Sequence, residues 1–433
     1  MISISTGALQ CGMGGRAGAG RDRLAVWEQE KHGERIAEGD WLVSDAERAA
    51  AGQETIAERS RALLPGNRDR AARQYADGGL PDGHELTRVW LPRDAASLEA
   101  RRGRQQLAAW AENGVLHVLW RGEAARAILM GGVQLPLWPV DGAPGLWEAS
   151  VRVRRLDESV ISLMVAAIAE GDTLFGQAAA GPLVFRGSRA PAEVPDRPLD
   201  GALDVYLLES PVLRAPRGVT VYVPPGAGGG GRLPGCVLAD GQSVTAFAPR
   251  LEAAILAGTA PPTVLVGVHN AMPRDPASRP KADLRSLEYL PQYRSRRFGA
   301  HLSFVADEVI PWAGGRLPVS PGPWIAAGFS NGAAWAIAAG QRRPDVFGGV
   351  AALSAGMVPS RVARASQRVR HYLAAGTLEP GIRRATAEWA ARLERTGMAC
   401  AHREWPGGHD DWWWRSQLPA ALAWLIPGQA RGT

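Results

Sequence analysis

Nowhere in the 433 residues does an apolar run approach the roughly 18 residues that a membrane-crossing helix needs. The best candidate, residues 161–169, is halted by Glu170 and Asp172, so no helical span is expected. No secretory leader is expected either. Where an apolar core of about 7–15 residues should stand, the chain offers Gly14, Gly15, Arg16, Gly18, Gly20 and Arg21, and a cytoplasmic address is the expectation. Cysteine is scarce: Cys11, Cys236 and Cys400 stand singly, which speaks against a disulfide framework and against a zinc site. Lysine occurs only at Lys31 and Lys281, so the net charge of +6 rests on dispersed arginine. With no dense basic block and no recognition motif, a nucleic-acid partner is not expected. Net charge alone concerns solubility and steering, and surplus arginine suits an anionic small molecule.

What is present reads as a globular protein. At 46% hydrophobic and 21% charged residues the chain can build one large domain and a smaller one. Residues 1–104 mix a Gly-rich start with Ala/Arg/Glu-rich stretches at 45–51 and 54–64 that lack a sustained apolar stripe, so this region is expected to be partly disordered. Residues 105–185 change texture. Short apolar segments at 115–120, 127–130, 135–140 and 146–153 are punctuated by Gly, Pro and Asp, the last alternating strictly, as in a small antiparallel β-sandwich. Residues 186–201 read as a Pro- and Arg-containing linker.

From 202 to 433 the rhythm becomes strand then helix. Strands are expected at 219–223, 236–239, 264–268, 325–327, 349–353, 371–375 and 400–404, and helices at 298–312, 333–339, 383–396 and 417–425. Such alternation implies an α/β domain with a mostly parallel sheet covered on both faces. Its site should lie at the C-terminal ends of the strands.

Gly328-Phe329-Ser330-Asn331-Gly332 spells G-x-S-x-G where a buried strand meets a helix. With 52 glycines the bare pattern has a chance expectation on the order of 0.3; the strand–turn–helix context is what makes it a nucleophile elbow. Ser330 would then stand above the sheet, with the Asn331 amide aimed at a developing oxyanion. A serine hydroxyl needs an imidazole to take its proton. His409, after Pro406, Gly407 and Gly408 and before the last helix, is the candidate. His371 and His402 fall inside strands and read as packing residues, while His269 at a strand end could line a pocket. For the carboxylate, Glu379 follows the strand ending at Ala375 and gives the chain order Ser, acid, His. Asp410 and Asp411 are rivals, and a Ser–His dyad stays open. A second oxyanion donor should come from the turn after residue 239, at Gly241 or Gln242. Trp412, Trp413 and Trp414 could face aromatic rings or belong to the core. Arg285 could meet an anion or pair with Glu288.

With those residues in place, the chain resembles the esterase D-like group of α/β-hydrolases, in particular enterochelin esterases, over roughly residues 105–427. The carriers are 238–242, 285–289 with the helix near 298–311, 328–332, 344–348, 375–380 and 407–410, preceded by Leu119-Trp120-Arg121 and Leu146-Trp147-Glu148. The resemblance implies an α/β-hydrolase fold with an N-terminal Ig-like β-sandwich. Ser330 then matches the nucleophile, His409 the base and Glu379 the acid. The implied activity is hydrolysis of the ester bonds of a catecholate siderophore trilactone, freeing iron in the cytoplasm, without cofactor or metal. A general carboxylesterase, a feruloyl-type esterase, an acyltransferase and a non-catalytic binding protein are the alternatives. The sequence is silent on oligomeric state.

Overall fold

The computed structural model describes residues 86–88, 94–133, 135–168, 178–193, 198–227, 231–271 and 284–426. Cys11, the stretches at 45–51 and 54–64, and the disorder expected of most of 1–104 lie outside the described residues. Residues 94–104 are described and ordered. Helix α1 (Ala95–Arg102) is capped by the Asp94 carboxylate, which accepts the Ser97 N–H, and its Leu98 packs with Leu119 and Leu146.

An antiparallel module follows. Its strands are β1 (Leu86–Arg88), β2 (Leu107–Glu112), β3 (Val115–Arg121), β4 (Arg126–Gly131), β5 (Leu135–Pro139), β6 (Leu146–Val153), β7 (Val160–Ile168) and β8 (Ala178–Arg186). The order is β2-β3-β6-β5-β4-β7-β8, with β1 added on β6. Asn113 and Gly114, both with positive φ, close the β2–β3 hairpin, since a two-residue turn matching the strand twist needs left-handed residues. Alternate side chains, among them Leu116, Val118, Trp120, Leu129, Val151, Leu163 and Val165, form one core. β7 and β8 were not expected as strands: residues 160–168 are apolar without alternation, and Ala178–Arg186 opens with small residues and Pro182.

The second layer is an eight-stranded mixed sheet. Its elements are β9 (Ala202–Leu208), β10 (Arg217–Val223), β11 (Gly235–Ala239), α2 (Val244–Leu256), β12 (Val264–Val268), α3 (Leu284–Tyr289), α4 (Arg296–Ser303), α5 (Ile310–Arg316), β13 (Trp324–Phe329), α6 (Asn331–Arg342), β14 (Phe347–Leu353), β15 (Arg370–Gly376), α7 (Pro380–Arg395), β16 (Cys400–Trp405) and α8 (Asp411–Leu425). The strand order is β16-β15-β14-β13-β11-β12-β10-β9, with β11 to β16 parallel and β9 and β10 antiparallel at one edge. β11, β12 and β13 are buried along their whole length, which is why they read as unbroken apolar runs. The helix expected over 298–312 is broken by a π-helical turn at Phe304–Val309. Pro311 has no N–H to give the carbonyl four residues earlier, and the wider turn surrounds that carbonyl. α8 begins at Asp411, six residues earlier than expected, because Asp410 caps it through the Trp412 N–H. Among the described residues no helix is long and apolar enough to cross a membrane.

The two layers meet on the loops that follow β15 and β16. Leu378 packs into the core of the antiparallel module. The Trp413 indole N–H donates to the Val160 carbonyl at 3.0 Å. The Asp410 Oδ2 accepts the Ser162 N–H at 2.6 Å.

Candidate active site

β13 delivers Ser330 at a sharp turn, with φ 56° and ψ −124°, a region an L-residue enters only under constraint. The turn is closed by main-chain contact: a Cβ on Gly328 would lie 2.3 Å from the Gly332 carbonyl oxygen. The Ser330 N–H donates to the Leu353 carbonyl of the neighbouring strand, which holds the elbow down. Phe247 and Trp414 sandwich Phe329 beneath it, at 5.6 and 4.6 Å between ring centroids.

His409 comes from the loop between β16 and α8. Its Nε2 lies 3.0 Å from Ser330 Oγ and its Nδ1 2.6 Å from Glu379 Oε1. Three residues separated by 49 and 30 positions are thus joined by two hydrogen bonds. Glu379 is 5% exposed and its second oxygen is also occupied. Oε2 accepts the Gly376 N–H at 2.7 Å and the Ser354 hydroxyl at 2.8 Å. The rival carboxylates point elsewhere. Asp410 divides its oxygens between the Trp412 and Ser162 amides, and burial pushes its carboxyl above the usual range against the pull of those bonds. Asp411 pairs with Arg415.

On the other side of Ser330, the parallel pairing of β11 with β13 sets Leu238 opposite Ala327. Continued three residues, that register brings Gly241 level with Ser330. The first turn of α6 touches the end of β11: a Cβ on Gly332 would be 3.0 Å from Ala239 Cβ. Asp240 turns the chain there in a left-handed conformation, φ 58° and ψ 54°. Its N–H donates to the Tyr289 hydroxyl, and its carboxylate accepts from Asn270 Nδ2 and, bidentately, from Arg285 Nε and Nη2, each of the latter at 2.6 Å. Asn331 Nδ2 donates to Ser286 Oγ. Gln242 Oε1 is buried with no hydrogen-bond partner among the described residues.

Three expected substrate contacts are drawn into the framework instead. Arg285 is 5% exposed and held by Asp240; its expected alternative partner, Glu288, is bound by Arg217. The Asp240 carboxylate needs a compensating cation once buried, and that is why Arg285 is not free for an anion. His269 bonds Thr220 Oγ1 through Nε2, and burial, then Arg217, lower its pKa to about 4. Trp412 is 4% exposed, donates to Glu193 and lies beneath Arg186 and Arg250. Trp414, by contrast, packs edge-on against His409 at 4.7 Å. His371 is fully buried beside Trp389, and burial lowers its pKa to about 3, in keeping with a packing residue. Ser354, Trp414, Asp240, Asn270 and Tyr289 were not anticipated in these roles; the φ of 58° at Ser354 has no signature in sequence.

Residues 210–425 match the family model described as "Putative esterase". No curated protein matches the chain by sequence. Among solved structures, an enterochelin esterase from Shigella flexneri is 17% identical with a TM-score of 0.55, over 78% of this chain and 98% of its own. The enterobactin esterase from Shigella flexneri in the presence of enterobactin is 18% identical, with a TM-score of 0.53, over 77% and 98%. The ferric enterobactin esterase from Salmonella typhimurium is 17% identical, again at 0.53, over 76% and 98%. These are likenesses of fold.

Proposed function

We propose that the chain is a carboxylic ester hydrolase of the esterase family whose model its residues 210–425 match, and that it is a serine esterase in which Ser330, His409 and Glu379 are nucleophile, base and acid. The observation that carries this is a single imidazole bonded on one nitrogen to a strained serine and on the other to a buried carboxylate. Ser330 Oγ attacks the ester carbonyl carbon as its proton passes to His409 Nε2. Glu379 holds the Nδ1–H tautomer and supports the charge that the ring acquires. The Asn331 amide and the amide of Gly241 or Gln242 serve the oxyanion, each such donor being worth roughly 2.7–4 kcal/mol of barrier. Collapse expels the alcohol, which takes the proton from Nε2. Water then repeats the sequence on the acyl-enzyme, releasing the acid and restoring Ser330.

For substrate we favour the trilactone of a catecholate siderophore, free or ferric, acted on in the cytoplasm. The fold likeness to enterobactin esterases supports it, since it covers 76–78% of this chain and therefore extends beyond the α/β layer into the antiparallel module. In this reading the α/β-hydrolase domain is 202–433, the module at 105–185 is an Ig-like β-sandwich, and 186–201 links them. The test is turnover of iron-free and ferric catecholate trilactones beside a short-chain nitrophenyl ester and feruloyl esters. Ser330→Ala should abolish all of it, on the order of 10⁶ in kcat. Retained turnover in that variant removes the nucleophile assignment. Preference for feruloyl esters moves the substrate to plant-polymer esters.

A further inference from the structure

We propose that Ser354 is a positioning residue for the catalytic acid, and that Trp414 fixes the direction in which its hydroxyl proton points. The inference rests on the reading of Glu379 as the acid. Ser354 directly follows β14, with no exposed surface and with φ 58°, a left-handed conformation disfavoured for a residue that bears a β-carbon. Its Oγ lies 2.8 Å from Trp414 Nε1 and 2.8 Å from Glu379 Oε2. An indole N–H can only donate. The Ser354 oxygen therefore accepts from Trp414, and its own proton is committed to Glu379.

That commitment does two things to the acid. With the Gly376 N–H, the Ser354 hydroxyl gives Oε2 two donors, which stops the carboxylate from rotating and leaves Oε1 to His409 Nδ1. A donor on Oε2 also withdraws charge from the carboxylate, so deleting that donor leaves more negative charge facing the imidazole. Trp414 closes the circuit, because the ring whose N–H orients Ser354 also packs edge-on against His409 at 4.7 Å. A serine that merely filled space would need neither the indole donor nor the left-handed backbone.

The experiment compares Ser354→Gly, Trp414→Phe and the double variant with wild type, using a short-chain nitrophenyl ester. The glycine keeps the left-handed backbone and deletes the hydroxyl; the phenylalanine keeps a ring and deletes the indole donor. Expected for Ser354→Gly is a fall in kcat on the order of 10- to 100-fold with KM nearly unchanged. The acid limb of the kcat/KM–pH profile should move up by about half to one unit. Trp414→Phe should shift the limb the same way by less, and should add nothing in the Ser354→Gly background. An unmoved acid limb in folded Ser354→Gly overturns the proposal, as does a Trp414→Phe shift that persists undiminished in the double variant. If Ser354→Gly does not fold, Ser354→Cys, which keeps the shape with a weak donor, is read by the same criteria. Ser330→Ala separates the two readings: if it retains turnover the triad fails, and if it is inactive while Ser354→Gly matches wild type, only the role of Ser354 fails.

Discussion

The loop that carries His409 has almost no room to move, and one methyl group should show it. Gly408 lies against the Gly131–Val133 turn of the antiparallel module, where a Cβ would be 1.6 Å from the Gly132 carbonyl oxygen. Since Cβ atoms essentially never come within 3.0 Å of a neighbour, Gly408→Ala must open the contact by about 1.4 Å, and close-packed backbone on both sides cannot absorb that by a rotamer change. The module is also stapled to Asp410, two residues on, by the Asp410–Ser162 bond, so the shift passes to His409 between the two contacts. Its Nε2 is 3.0 Å from Ser330 Oγ, and a displacement of about 1 Å is enough to cost on the order of 100-fold in rate. The assay is kcat on a nitrophenyl ester, with urea denaturation run in parallel to confirm a folded population. A variant with wild-type kcat would refute the claim that the module sets the position of the base.

Two further outcomes concern stability. Arg285→Met should lower the unfolding free energy by about 3–5 kcal/mol in urea titrations, because it leaves the Asp240 carboxylate buried without its bidentate partner; an unchanged midpoint would contradict the structural role given to Arg285. His371 is buried and its folded pKa is depressed to about 3, so the unfolded chain binds the extra proton first as pH falls below about 6.5, and stability drops through that window. At pH 5 the penalty is about 2 kcal/mol. His371→Phe should remove it, seen as a smaller loss of unfolding free energy between pH 7 and pH 5, whereas an unaltered pH dependence would show that the imidazole is not held neutral.

Much of the site was legible because its signals are local. The strand at 264–268 and the elbow at Ser330 depend on neighbours within a few residues, and the order of Ser330, Glu379 and His409 follows from which strand each residue leaves. What escaped depends on contacts distant in sequence. Arg285 reaches Asp240 across 45 residues, and Trp414 reaches Ser354 across 60, so neither pair leaves a local pattern. Trp412 and Trp414 look equivalent in sequence, yet helical geometry turns the first toward Glu193 and the second toward His409. α2 went unread because Pro249 lies inside it, and β9 because an edge strand with Val205 and Leu207 exposed carries little burial pattern.

The packing of Leu378 into the module and the grip on residues 408 and 410 mean that the two loops carrying the proposed acid and base are moored to a layer that holds none of the proposed reacting groups. A change in that layer should therefore be felt at Ser330 and His409 although it touches neither. Lesions gathered in a random screen for lost turnover would scatter into β7 and the turn after β4, and swapping in a foreign module would demand that the grafted surface reproduce the shape of those few main-chain seats.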